Sequence, residues 1–359
     1  MSECDLTQAF ARLVGAVAPI EQVQQVALLQ ARGRVLARPL SSRRDLPSQD
    51  QAAMDGYAVC ARDLAAGARS LTVLGRALAG HDFAGRLAPG SCVRIMTGAS
   101  MPEGSDSVVV MEVAQPLAED SVALPGPIAC GANRRLRGEH VRTGDEVISG
   151  GRRLRAADLA LACAIGETEL DVFRQLRVGV LSTGDELRDA PGDLPQGCAF
   201  DSNRLMLQLA LEQACLAGCD MGICPDDPGA LRRVVETAFD EQLDALLISG
   251  GAALGDADVV RTHGGVQFVP VNVRPGRGIA VAQAVRAHRR LLILGLPGNA
   301  VAAYVLFYAL ALPVLLRLAG ADAHPPVPVA MPIACELLAR PGRVDFRRAR
   351  LRVDSAGRR

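Results

Sequence analysis

LRVGVLSTGDEL, residues 176–187, is the stretch on which the fold turns. Its apolar, β-branched half, Leu176–Ser182, reads as a buried strand, and its second half as a polar turn containing Gly184. The same texture returns at Ala245–Ser249, which runs into Gly250-Gly251, and at Leu291–Leu296, which runs into Pro297-Gly298-Asn299. Asp220–Cys224 reads as a further short strand. Between the strands lie helical patterns: Asn203–Leu216, a segment from Pro228 to about Phe239 with Asp227 as a candidate cap, and a long apolar run from Val301 to Leu316. Repeated strand, turn and helix predict a doubly wound α/β domain with ligands at the carboxyl ends of its strands.

Glycine turns let backbone N–H groups approach a phosphate closely. Three such turns at one sheet edge predict a shared crevice formed by Gly184, Ser249, Gly250, Gly251, Pro297, Gly298 and Asn299. No Walker A sequence occurs, and no GxGxxG opens a helix after a strand, so ordinary nucleotide and dinucleotide readings lack their mechanical core. Asp226, Asp227, Asp256 and Asp258 are grouped carboxylates that would hold Mg²⁺ against phosphate, with helix capping as the competing reading for Asp227. Arg274 and Arg277 would fork onto phosphate or an oxyanion, or else form a solvated surface turn.

Upstream, the texture differs. Residues 5–38 carry helical spacing at Leu6, Phe10, Leu13 and Val14, and again at Val23, Val26, Ala27 and Leu29. From Met54 to Val147 short apolar segments alternate with turns, as in a β-rich domain: Tyr57–Val59, Leu71–Leu74, Cys92–Met96 and Ser107–Val113. Residues 152–166 are helical in pattern. After Gly320 the chain is Pro-rich, then weakly β-like over Val327–Ala334, with a basic tail.

The expected organisation is a helical linker domain from 1–40 with 145–173, a β-rich domain over 41–144, an α/β domain over 174–322, and a short remainder at 323–359. A chain of 359 residues exceeds what one core supports, in keeping with several domains. Apolar residues make up 49%, aromatic residues only 3%, and Trp is absent, so aliphatic packing must dominate. Lys+Arg and Asp+Glu are both 39, which argues against a nucleic-acid or anionic-membrane partner recognised by bulk charge. The chain contains no Lys, so every fixed side-chain cation is Arg.

Ten cysteines are scattered without a CxxC pair, and the opening residues show no apolar leader. Reduced thiols, buried as small hydrophobes, in a cytoplasmic protein are expected. Cys215, Cys219 and Cys224 lie close together, without the paired spacing typical of zinc. The run from Val301 to Leu316, interrupted by Pro313, is short for a membrane span and reads as a buried core helix.

Several blocks, in order, resemble the molybdopterin molybdenumtransferase family, which includes MoeA-type enzymes and the E domain of gephyrin. They are Ala53-Met54-Asp55-Gly56-Tyr57-Ala58; Arg94-Ile95-Met96-Thr97-Gly98-Ala99 with Pro102 and Gly104; Ser182-Thr183-Gly184-Asp185-Glu186-Leu187; Asp201-Ser202-Asn203; Ser249-Gly250-Gly251 with Gly255 and Asp258; and Leu296-Pro297-Gly298-Asn299. The resemblance runs from the N-terminal helices to about Gly320. It implies a MoaB-like α/β domain, a β-rich domain and a helical linker region in an elongated homodimer. Its site would lie between the α/β domain of one chain and the β-rich domain of the other.

The implied reaction joins molybdate to adenylated molybdopterin and releases AMP, assisted by Mg²⁺. Catalytic roles would fall to Asp55, Glu139, Glu186 and Asp258. Substrate binding would fall to Thr97, Gly184, Ser249, Gly250, Gly251, Arg274, Arg277, Pro297, Gly298 and Asn299, and metal binding to Asp226, Asp227 and Asp258. A molybdopterin adenylyltransferase or another cofactor-biosynthesis protein would be a partner.

The chain also departs from the pattern. His140 stands where the family has Asp after Gly-Glu. Arg274-Pro275-Gly276-Arg277-Gly278 replaces Lys-Pro-Gly-Lys-Pro, Ala252-Ala253 alters the GGVS turn, and Ala300 replaces the Pro of LPGNP. Against the family pattern, a shortened C-terminal β domain is expected. These departures keep a second reading open, a non-catalytic pterin-binding or scaffold paralogue. A third reading is a relative using the same α/β domain on another nucleotide-like substrate.

Overall fold

The computed structural model describes residues 5–250, 267–325, 327–338 and 340–350. Contacts divide the chain into two compact units: Met1–Arg38 with Gly150–Leu159 and Glu169–Arg359, and Pro39–Ser149 with Ala160–Thr168.

The first unit is built on a six-stranded sheet ordered Ala217–Cys224, Arg177–Thr183, Ala245–Ser249, Arg289–Leu296, Gly278–Arg286 and Gln267–Pro270. The first four are parallel, and the last two run antiparallel at one edge. Strands buried on both faces need apolar residues at odd and even positions alike. Accordingly Ala245 and Leu247 face one core with Leu292, Leu294 and Leu296, while Leu246 and Ile248 face the other with Leu291 and Ile293.

Helix Pro228–Asp240 covers the second face through Leu231, Val235, Ala238 and Phe239. Helix Ser202–Gln213 and helix Ala300–Leu318 cover the first, through Leu207, Leu211, Leu306, Phe307 and Leu310. Helices on both faces make the sheet doubly wound, as expected. Leu294 is fully buried at its centre. Leu294→Ala is expected to cost about 3 kcal/mol of unfolding free energy, because the surrounding strands cannot close on the cavity. Urea titration checks this, and a loss below about 1 kcal/mol would contradict the packing described.

The helix Ala300–Leu318 has a mean hydropathy of 2.0 and is long and apolar enough to cross a membrane, yet 56% of it is buried within the protein. Pro313 does not break it. The preceding turn, Phe307–Ala311, widens to π-type hydrogen bonding, which makes room for a residue without an N–H donor.

Two local expectations are corrected. Leu6–Gly15 is a helix, opened by a reciprocal cap between Asp5 and Gln8, but Val23–Ala27 is not helical. It is a strand paired antiparallel with Glu169–Phe173, Val26 opposite Leu170. Five residues are too few for a period to separate helix from strand, and the partner lies far away in sequence. The weak β pattern at Val327–Ala334 forms no strand among the described residues; Val327, Val329 and Ile333 are exposed. The strand in this region is Val344–Asp345, which pairs parallel with Val273–Arg274.

The second unit carries a mixed sheet ordered Ser107–Val110, Gly56–Val59, Ser91–Ile95, Ser70–Ala77, Ser121–Ala123 and Gln115–Ala118. Its alternation is clean. Ala58, Val93, Ile95 and Val108 form one core, and Tyr57, Val59, Cys92, Val109 and Val122 the other. Cys92 is a buried apolar side chain whose thiol burial pushes up to about 12, and Cys224 is also buried. Cys130, Cys163 and Cys335 are exposed, contrary to the expectation of burial.

Candidate active site

In the first unit, the carboxyl ends of the parallel strands converge as the sequence predicts. Four ends are joined to one another. Gly250 N donates to Leu296 O at 3.2 Å, Gly184 N donates to Cys224 O at 3.2 Å, and Ser182 lies in register with Ser249. The side chain that ties them is Asn203, near the start of helix Ser202–Gln213. Its buried Nδ2 donates to Ser249 Oγ and to Gly298 O, both at 2.7 Å.

Beside it, Ser182 Oγ donates to Asp201 Oδ1 at 3.0 Å, and Asp201 caps the same helix through Arg204 N. Asp201 further pairs with Arg204 Nε at 3.2 Å, and Arg204 reaches Asp220 at 3.0 Å and also Asp189. Thr183 Oγ1 is buried without a hydrogen-bond partner among the described residues. It marks a polar point left open at the strand end.

Gly250 has a φ of +96°, and a Cβ there would stand 2.2 Å from Thr183 O. Only glycine lets this turn lie against the neighbouring strand end. Gly298 approaches it closely as well, since its own Cβ would lie 3.5 Å from Gly250 Cα. Asn299 caps helix Ala300–Leu306, its side chain accepting from Ala302 N at 3.0 Å. Pro297 lies between these two glycine-rich contacts, and Gly298 and Asn299 are exposed. The Glu186 carboxylate folds back over buried Gly184, whose Cβ would meet Glu186 Oε2 at 2.6 Å.

The acids separate by role. Asp227 Oδ2 accepts from Ala230 N at 2.6 Å and caps helix Pro228–Asp240. Exposed Asp226 is fixed through its backbone, whose N–H donates to Asp185 Oδ1 at 3.1 Å. No group of three His, Cys, Asp or Glu side chains suited to a metal occurs among the described residues, the Cys215–Cys224 segment included. Gly251, Asp256 and Asp258 lie outside the described residues.

Arg274 and Arg277 are exposed and make no ion pair among the described residues. Their loop is strapped by the C-terminal segment. Val344 N donates to Asn272 O at 3.0 Å, Phe346 N to Arg274 O at 2.7 Å, and Asn272 Nδ2 to Gly342 O at 2.6 Å. Asp345 within the strap lies below the usual carboxylate range, held by Arg343 first and Arg347 second.

In the second unit, Asp55 and Thr97 meet directly. Asp55 Oδ1 accepts from Thr97 N at 2.7 Å and from Thr97 Oγ1 at 2.6 Å. These bonds hold the Asp55 carboxyl below its ordinary range, with the charge of Arg94 a smaller cause. Gly56 is required beside it, because a Cβ would stand 2.0 Å from Val109 O.

The 134–140 segment is fastened to the strand Gln51–Ala52 that leads into Asp55. Arg134 pairs with Ala52, Arg137 N donates to Asp50 Oδ1 at 2.8 Å, and Arg137 Nε donates to Asp45 at 2.5 Å. Ala52 O in turn accepts from Gly98 N at 2.9 Å, bringing the Thr97 turn to the same strand. Glu139 is exposed, its Oε2 accepting from Leu136 N at 2.8 Å, and exposed His140 donates its backbone N–H to Leu46 O at 3.0 Å.

Sequence reasoning singled out the strand-end turns and named Asp55 and Thr97 separately; their pairing is seen only in the structure. It did not assign roles to Asn203, Thr183, Asp185, Asp45 or Asp50. Asn203 was visible only as part of an Asp-Ser-Asn run before a helix, a pattern that capping also explains.

Comparison with known proteins finds two family matches along the chain. Residues 4–166 match the family described as MoeA N-terminal region (domain I and II), and residues 179–317 match the probable molybdopterin binding domain. A molybdopterin molybdenumtransferase from Haemophilus influenzae is 35% identical over 361 residues, covering 98% of this chain and 87% of that protein. One from Bacillus subtilis is 30% identical, covering 82% of this chain and 70% of that protein. A crystal structure of the molybdopterin biosynthesis moeA protein from Pyrococcus horikoshii superposes with a TM-score of 0.72 at 27% identity, over 89% of this chain and 80% of that one.

Proposed function

The chain belongs to the molybdopterin molybdenumtransferase family, and on that premise we propose that it inserts molybdenum from molybdate into adenylated molybdopterin with release of AMP. The observation that carries the proposal is the joined set of strand ends, in which Asn203 links Ser249 to Gly298 beside Gly250. In this reading the glycine-rich strand ends form a crevice suited to phosphate and adenylate, because backbone N–H groups can approach the ligand there. Gly184, Ser249, Gly250, Pro297, Gly298 and Asn299 stand at these strand ends, with Gly251 next in the chain and Asp258 eight residues after Gly250. Arg274 and Arg277, unpaired among the described residues, supply bidentate donors for phosphate or molybdate.

The acids of this edge offer hard oxygen donors for a divalent cation but do not by themselves gather into a metal site among the described residues, so Mg²⁺ would also draw on Asp258, which lies outside them. Asp226 and Glu186 are exposed and available, whereas Asp227 has one oxygen committed to its helix cap. Mg²⁺, when bound, supplies neutralisation of the charge that develops on the phosphoanhydride leaving group. Asp55, set by Thr97, and Glu139 contribute carboxylates from the second unit.

The proposal includes a homodimer that brings the second unit's motifs to the crevice of a second copy. Exposed Leu205 and Leu209 on one helix, with Val301 and Tyr304 on the neighbouring one, offer it apolar surface. A molybdopterin adenylyltransferase would supply the substrate. A reduced cytoplasmic setting accords with free thiols at all nine described cysteines.

The test is AMP release from adenylated molybdopterin by the purified protein with Mg²⁺, with and without molybdate. Molybdate-dependent release is the expected result and would show that His140 is tolerated. Tight pterin binding without release would favour the non-catalytic reading. His140→Asp would then be expected to restore turnover if that position is the cause.

A further inference from the structure

A cavity of about 1380 Å³ in the first unit lies at the opposite edge of the sheet from the crevice. Its wall includes Arg177, which opens one parallel strand, and Arg289 and Arg290, which open another. Arg34, Arg174 and His288 complete a basic lining, against which stand the acids Glu21 and Asp244. Asp244 is already committed. Its two oxygens accept from both terminal nitrogens of Arg174, and Oδ2 also accepts from Arg177 N at 2.9 Å. Arg34, Arg177, Arg289 and Arg290 form no ion pair among the described residues.

Arg34 is the telling member. It is half-buried, and burial holds its guanidinium below the ordinary range. One terminal nitrogen donates to Phe173 O at 2.8 Å, and the Gln24 side-chain oxygen, turned inward, accepts from another at 3.0 Å. Its Nε is buried with no partner among the described residues. A desolvated cation with only neutral acceptors is costly, and an anion in the cavity removes that cost. The strands led by Arg177 and Arg289 are separated by one strand, Ala245–Ser249, so their basic ends are about 10 Å apart. That span suits a chain of phosphates better than a single ion.

We propose that this amino-edge cavity binds a small molecule bearing a di- or triphosphate group, at a site separate from the carboxyl-edge crevice. Ligands of open α/β sheets collect at the carboxyl edge, so the arginine lining here serves a different molecule or a different part of the cycle.

The test is calorimetric titration of the full chain with sodium tripolyphosphate and with orthophosphate. Tripolyphosphate is expected to bind at least about tenfold more tightly than orthophosphate, through charge-assisted forks at several arginines. Arg34→Gln and Arg177→Gln are each expected to weaken it about tenfold. Arg232→Gln, at an exposed arginine of helix Pro228–Asp240, is expected to leave it unchanged.

No binding of tripolyphosphate would overturn the proposal, whether the cavity is empty or covered by a second copy. So would an equal loss in Arg232→Gln, which would mark bulk charge. Loss in Arg274→Gln with none in Arg177→Gln would move the anion to the crevice and equally end it. None of these outcomes depends on AMP release, so the proposed transferase activity stands or falls separately.

Discussion

Gly250→Ala is expected to lower molybdate-dependent AMP release by roughly 100-fold or more, the scale on which an ångström of misplacement acts. The residue sits at a φ of +96°, and the added Cβ would stand 2.2 Å from Thr183 O and 3.1 Å from Thr183 Oγ1. Neither atom is free to move aside. Thr183 ends a strand held in parallel register on both sides, and Gly250 N is itself bonded to Leu296 O. Relief therefore comes from separating the strand ends, which would also disturb the Asn203 bonds to Ser249 and Gly298.

Stability should fall too, by about 1–3 kcal/mol from the left-handed backbone alone. A thermal melt should still be cooperative, because the two cores lie behind the turn and are untouched. Steady-state AMP release beside the melt checks the prediction. Near-normal release from a folded Gly250→Ala protein would mean that the crevice does not hold the reacting phosphates.

The doubly wound sheet was legible because the central stretches of its inner parallel strands are apolar on both faces and end in distinctive turns. Ala245–Ser249 is buried throughout, and its shortness with the Gly250-Gly251 turn that follows favours strand over helix. The N-terminal segment was not legible. Val23, Val26 and Ala27 fit a helical face as well as a strand, and the pairing with Glu169–Phe173 that decides between them is a long-range contact. The strap at Val344–Asp345 was hidden for the same reason. Two residues joined to Val273–Arg274 have no period to read.

The site divides in a similar way. Turn glycines announce themselves, since a backbone that must approach another backbone permits little else, as at Gly56 and Gly250. Polar side chains that act by spanning elements do not. Asn203 connects residues 46 and 95 positions away, and Asp45 joins Arg137 and Thr143 from more than 90 away. Asp227 shows the reverse case, a residue equally readable as metal ligand or cap, whose carboxylate in the fold caps a helix.

Asp55→Asn is expected to reduce AMP release by about 100-fold or more while leaving the fold intact, within the range that loss of a positioned acid or base produces. An asparagine oxygen can still accept from Thr97 N and Thr97 Oγ1, so the turn keeps its shape and only the charge is removed. Asp55→Ala removes both bonds as well. The pair of variants thus separates charge from positioning. A slow Asn variant with a normal melting temperature assigns the effect to charge. Normal turnover in Asn with loss in Ala would make Asp55 a turn acid and withdraw its catalytic role.

The pH dependence is fixed by the sign of the shift. Thr97 holds the Asp55 carboxyl below its ordinary value, so the group is ionised throughout the neutral range. Its contribution to stability is present above the unfolded value of about 3.9 and is lost as pH falls through the lower folded one. Between about pH 5 and 9 the rate should show no inflection belonging to this residue. An inflection in that window that disappears in Asp55→Asn would mean that the carboxyl rests protonated, and that its bonds to Thr97 are not those of the working enzyme.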